Sequence, residues 1–167
     1  MRSSGYQLVM SAMFKGRKKE RPPSGTPTSI ACHGLMDATG VSFPQAHLNA
    51  SAMAELALGG HEIIGFDTVR PGYSVGQEVA ALGAAVDWGD RNMMPDTKSF
   101  LYEDFGDIVF PEDFLEQPSM RVLLDALAIL RRHVGGSAAI IGKAMGPWTL
   151  SYHMAGTQNF LLQIGLG

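Results

Sequence analysis

Apolar residues recur at helical spacing in some stretches of this chain and form short unbroken runs in others, and the two patterns alternate. Tyr6, Val9, Met10, Met13 and Phe14 keep the i, i+3, i+4, i+7, i+8 spacing of a helix with one apolar stripe. Such a stripe predicts packing against a core. Prolines 22, 23 and 27 then remove backbone donors and fix φ, so the helix cannot continue. Residues 28–32, with Ile30 as β-branched anchor, read as a first strand. Asn49 suits the cap of a helix carrying Met53, Ala54, Ala57 and Leu58, with Gly59 and Gly60 as its stop. Residues 62–67, a compact apolar run ending in Asp67, read as a second strand buried on both faces. Pro71 and Gly72 turn the chain into a helix over 74–82, and 84–88 is extended. Residues 89–117 have weak periodicity and read as a long excursion with one short element. The clearest helix covers 120–134, with Ser119 as its cap and Gly135 and Gly136 as its end. Residues 138–142 form a third apolar run, and a last helix begins near Trp148.

Strands that alternate with helices imply a parallel sheet with right-handed crossovers. A doubly wound sheet and a (β/α)8 barrel both satisfy the pattern. A complete barrel takes ~250 residues, and this chain has 167. The expected fold is therefore α/β, the N-terminal portion of a (β/α)8 TIM barrel with about three of its eight strands. A helical segment, 1–25, precedes the barrel part, 26–167, in one partial domain. On this view the active site is incomplete, and unpaired strand edges invite self-association.

Composition narrows the function classes. Hydrophobic residues make up 46% and charged residues 17%, which excludes a disordered chain. The net charge of -3 argues against a nucleic-acid partner. The basic run Lys15, Arg17, Lys18, Lys19 and Arg21 reads as a solvated helix end. One cysteine, Cys32, rules out an intrachain disulfide. Nothing reads as a signal peptide or a membrane span, so the expected location is cytoplasmic. Dinucleotide, P-loop, HExxH, GxSxG and CxxC signatures read as absent, which argues against a nucleotide fold, a zinc protease and a serine hydrolase.

Cys32 and His33 are the obvious metal suspects, but neighbours on a strand point to opposite faces and zinc takes three or four ligands. No metal site is expected from this chain alone. In parallel α/β folds ligands bind beyond the carboxyl ends of strands. That places Cys32, His33, Asp67, Arg70, Lys143 and Met145 as candidates for the barrel mouth, with Tyr152 and His153 nearby. Asp67 and His153 are the expected catalytic contacts. His47 and His61 border a helix and read as capping or surface groups, and His133 as exposed.

Several motifs occur in order: Leu35-Met36-Asp37, Phe43-Pro44-Gln45-Ala46-His47, Met53-Ala54-Glu55-Leu56-Ala57, Gly65-Phe66-Asp67, Glu78 to Gly83, Val86-Asp87-Trp88-Gly89, Met94-Pro95-Asp96 and Gly146-Pro147-Trp148-Thr149-Leu150. Together they resemble the uroporphyrinogen decarboxylase superfamily, in its corrinoid-dependent methyltransferase branch of the methylcobamide:coenzyme M type. The resemblance runs from the first helix to Phe160. It implies a barrel that moves a methyl group between a cobalamin, carried by a partner corrinoid protein, and a small-molecule thiol acceptor. It implies zinc that activates the thiol, held in the complete enzyme by a His and two Cys of the barrel's second half. Cys32 matches none of these. A porphyrinogen decarboxylase is the alternative enzyme. Its two arginines after the first strand have no counterpart in 31–36, and its tyrosine after Pro-Trp-Thr-Leu is matched by His153, with Tyr152 one residue earlier. A non-catalytic α/β module that binds a partner is the third reading.

Overall fold

The computed structural model describes residues 2–16, 21–26, 30–104, 106 and 108–166. Its elements are α1 (Gly5–Met10), a π-helical turn (Ser11–Lys15), α2 (His33–Thr39), α3 (Gln45–Leu48), α4 (Ala50–Glu62), β1 (Thr68–Val69), α5 (Gly76–Ala81) and β2 (Val86–Asp87). Then come β3 (Asp96–Thr97), a 3-10 turn (Phe114–Glu116), α6 (Pro118–Val134), β4 (Ala139–Ile140), α7 (Pro147–Ala155) and α8 (Thr157–Leu166).

Among the described residues β1 and β4 pair in parallel, with Thr68 opposite Ala139 and Val69 opposite Ile140. The amide of Ala139 donates to the Asp67 carbonyl and that of Ile141 to the Val69 carbonyl, each at 2.9 Å. This parallel pair, with helices between its strands, makes the described residues α/β and is consistent with part of a barrel. It does not close on itself. A second pair, β2 with β3, is antiparallel and lies inside the 89–117 excursion and its approach. The core lies where α4 and α6 pack over β1, around Leu35, Met53, Leu56, Val69, Leu123 and Leu130. Among the described residues no helix is long and apolar enough to cross a membrane.

The long helix and the third apolar run stand where the sequence places them, as α6 and β4. Other expectations need correction. Residues 27–29 of the expected first strand lie outside the described residues. Ile30 to Cys32 form no strand, because the Cys32 carbonyl already accepts from Leu35 and Met36 at the start of α2. Residues 17–19 of the basic run also lie outside the described residues. The second strand is displaced from 62–67 to β1. The glycines expected to stop α4 lie inside it: a Cβ on Gly59 would come within 2.7 Å of Leu35 Cδ1 and 2.9 Å of Thr39 Cγ2. Gly59 is there so that α2 can press close, and α4 runs on to Glu62. Ser119 is no cap. Gln117 takes that position with Pro118 in the first turn, and the Ser119 hydroxyl donates to the Gln77 carbonyl at 2.8 Å. The N-terminal stripe is broken by the π-helical turn, which rotates the face. Leu8, Val9 and Ser11 are buried, while Met13 and Phe14 are 67% and 70% exposed.

Candidate functional site

Arg70 follows β1 directly and Lys143 follows β4 by way of Ile141 and Gly142, so the two cations leave the carboxyl ends of adjacent parallel strands. The first turn of α5 brings Glu78 within electrostatic range of both, without an ion pair to either. Glu78 is 7% exposed; its Oε1 accepts from the Met145 amide at 3.2 Å, and its Oε2 is buried with no hydrogen-bond partner. The Lys143 ammonium donates to the Ser74 carbonyl at 2.5 Å. Burial lowers the Lys143 pKa, the Glu78 carboxylate works against that fall, and Arg70 adds to it. Burial also lowers Arg70, again opposed by Glu78. Two partly desolvated cations thus feel the field of one buried carboxylate that retains a free acceptor. Such a constellation suits a ligand with an anionic group for the cations and a donor for Glu78.

Asp67 is elsewhere. It precedes β1, so its side chain sits at the amino end of the strand pair. Arg21 grips its carboxylate bidentately at 2.5 and 2.7 Å, and Ser24 donates to it from the amide at 2.7 Å and the hydroxyl at 3.1 Å. The Arg21 hydrogen bond chiefly holds the Asp67 carboxyl down at about 2. The group is buried and its oxygens are taken.

His153 lies on α7, with Nδ1 3.0 Å from the Thr97 hydroxyl of β3, and the Tyr152 hydroxyl accepts from the Trp148 indole at 2.5 Å. Cys32 and His33 are exposed at the start of α2; the His33 carbonyl accepts from Arg91 at 3.5 Å. The structure therefore brings Arg70, Lys143 and the Met145 backbone to one end of the β1–β4 pair, while Asp67 lies at the other end and His153 is engaged with Thr97 of β3. Glu78 stands in one of the motifs of the resemblance, but sequence reasoning did not place it at the site. The signal was present, since Glu78 is the one charged residue between Arg70 and Asp87. It also missed that residues 72–76, Gly-Tyr-Ser-Val-Gly, match the Gly-x-Ser-x-Gly pattern between a strand and a helix. The Ser74 hydroxyl is occupied locally: it accepts from the Gly76 amide at 3.1 Å and donates to Gln77 Oε1 at 3.3 Å. His47 is a correction: far from a surface group, it is fully buried. His61 binds the Phe66 carbonyl at 2.5 Å, and His133 is exposed and pairs with Glu62 at 2.7 Å.

Residues 7–164 match the family model described as uroporphyrinogen decarboxylase (URO-D). The chain belongs to that family. Its relatives include the methylcobamide:CoM methyltransferase MtaA of Methanosarcina barkeri (strain Fusaro), 30% identical over 151 residues, covering 90% of this chain and 44% of the relative. The methylated-thiol–coenzyme M methyltransferase of Methanosarcina mazei is 30% identical over 90% of this chain and 41% of its own length. A solved methyltransferase from Methanosarcina mazei superposes with a TM-score of 0.88 at 30% identity, covering 95% of this chain and 47% of that one. The chain thus spans a little under half the length of these relatives, and the partial-barrel fold agrees with that coverage.

Zinc, which the resemblance implies, finds no fit here. Among the described residues no group of three or more His, Cys, Asp or Glu side chains could hold a metal ion.

Proposed function

We propose that this chain supplies the Arg70–Glu78–Lys143 mouth of a corrinoid-dependent methyltransferase, which moves a methyl group between a cobalamin on a partner protein and a small thiol acceptor. The observation that carries the proposal is the pair of cations at the carboxyl ends of β1 and β4, sharing a buried carboxylate with an unfilled acceptor. Relatives named as methylcobamide:CoM methyltransferases support the reaction class. Arg70 and Lys143 would hold the anionic part of the acceptor, and Glu78 would take a hydrogen bond from it. His153 and Tyr152, on the helix that follows the mouth, would extend the polar wall.

The test is thiol-dependent demethylation of methylcobalamin by the protein as its organism makes it, with 2-mercaptoethanesulfonate as acceptor. Arg70→Ala and Lys143→Ala should each lower kcat/KM by about tenfold to a hundredfold, the worth of a charged contact. No demethylation, or unchanged kcat/KM in both variants, would remove the proposal. Carbon dioxide release from uroporphyrinogen would put the decarboxylase in its place.

A further inference from the structure

Lys143 stands half-buried at the carboxyl end of β4, and Arg70 stands half-buried at the same end of β1. Among the described residues neither forms an ion pair. The Lys143 Nζ is fixed by one hydrogen bond, to the Ser74 carbonyl at 2.5 Å. A neutral amine keeps that bond with one N–H and still has its lone pair to give. Desolvation favours the neutral form, and so does the charge of the neighbouring Arg70. This is the setting in which a lysine becomes a nucleophile toward a carbonyl carbon. The loop that carries it is uncrowded, since a Cβ built on Gly142 or on Gly146 would meet nothing within 4 Å.

The surrounding charges select the electrophile. Arg70, Lys143 and Glu78 together carry one net positive charge, in a place that has partly given up water. A guest with a single carboxylate brings the set to neutrality, and a neutral aldehyde or ketone does not. Arg70 is the natural partner of that carboxylate, because its planar fork pairs with both oxygens. The two residues leave adjacent strands, and Arg70 is near enough for its charge to act on Lys143. A small molecule that offers a carboxylate to one and a carbonyl carbon to the other carries the two groups side by side, as a 2-oxo acid does.

We infer that Lys143 is a covalent site for small 2-oxo acids, which it binds as a Schiff base while Arg70 holds their carboxylate. The Nζ lone pair adds to the keto carbon, the C–O π bond opens, and its oxygen takes a proton. The carbinolamine nitrogen then expels that oxygen as water, with a second proton, and a protonated C=N bond remains. Ammonium and ketone thus give iminium and one water, with no oxidant or reductant. The Glu78 field favours the positive iminium as it favours the ammonium. The site uses residues of the methyl-transfer reading but needs neither cobalamin nor a thiol.

The experiment is reductive trapping on the full chain with cyanoborohydride. Pyruvate is compared with acetone, the same ketone without the carboxylate, and adducts are located by peptide mass spectrometry. Lys98, exposed beside β3, is the internal reference. The preference for pyruvate over acetone should be about tenfold greater at Lys143 than at Lys98, the worth of one charged contact. Arg70→Gln should erase that preference. Pyruvate trapping at Lys143 no better than at Lys98, or a preference that survives Arg70→Gln, overturns the inference. Should that variant fail to fold, excess acetate added to the native chain should slow pyruvate trapping at Lys143 and spare Lys98. Equal trapping with and without acetate overturns the inference as well. Demethylation of methylcobalamin is read in a separate assay, so either reading can fail without the other.

Discussion

The two ends of β1, separated by Thr68 and Val69, treat a buried carboxylate in opposite ways. At the amino end, Asp67 is gripped by Arg21 and Ser24, and α1 lies over it so closely that a Cβ on Gly5 would be 2.8 Å from the Ser137 carbonyl oxygen and 2.9 Å from Asp67 Cα. At the carboxyl end, Glu78 takes one hydrogen bond, leaves Oε2 without a partner and opposes, through its field alone, the burial that pulls Arg70 and Lys143 away from their charge. A saturated carboxylate holds the fold together. An unsaturated one costs stability that the fold could have kept, and such costs gather where a ligand completes the set.

The sharpest break would come at the amino end. Gly5→Val should force α1 off the strand ends and cost about 3 kcal/mol or more in urea unfolding, as overpacking against backbone does. A loss under about 1 kcal/mol would mean that the seal is loose. Next in size is acid sensitivity. The Asp67 carboxyl titrates at about 2 in the folded chain against 3.8 ordinarily. A lowered folded pKa means stability that is complete above pH ~4 and is lost as pH falls through ~2, amounting to roughly 2–3 kcal/mol. Asp67→Asn should remove that part of the stability-versus-pH slope; an unchanged slope would detach Asp67 from it. The smallest effect belongs to the other end. Lys143, with its pKa lowered by burial, should react with an amine reagent at a lower pH than exposed Lys98. Glu78→Gln should shift that reactivity lower still, because the carboxylate is what props the ammonium up. A shift upward would deny the coupling.

Much of the fold was legible in sequence, and the failures are physical. The 3.6-residue period of α6 and the apolar run of β4 carry their own signal, since neither depends on distant partners. The Gly59-Gly60 pair misleads because a glycine that ends a helix and one that admits a neighbour look alike until Leu35 and Thr39 are in place. Asp67 was legible as special, but its role depends on which side of a two-residue strand it falls, and on Arg21, which lies far from it in sequence. Arg70, Lys143 and Met145 were nominated by their position after apolar runs, and they lie at one end of the β1–β4 pair. Glu78 was passed over and His47 read as a capping or surface group because the sequence, although it marks Glu78 as the one charged residue of its stretch, does not show what tertiary packing will bury beside either.

Urea unfolding of the native chain, Asp67→Asn and Glu78→Gln side by side at pH 7 tests the contrast most directly. Asp67→Asn should lose about 3 kcal/mol, because an amide cannot accept the bidentate guanidinium. Glu78→Gln should stay within about 1 kcal/mol of the native chain, because relief from a desolvated charge offsets the lost attraction to Arg70 and Lys143. Equal losses, or a larger loss at Glu78, would contradict the division of β1 into a structural end and a ligand-facing end.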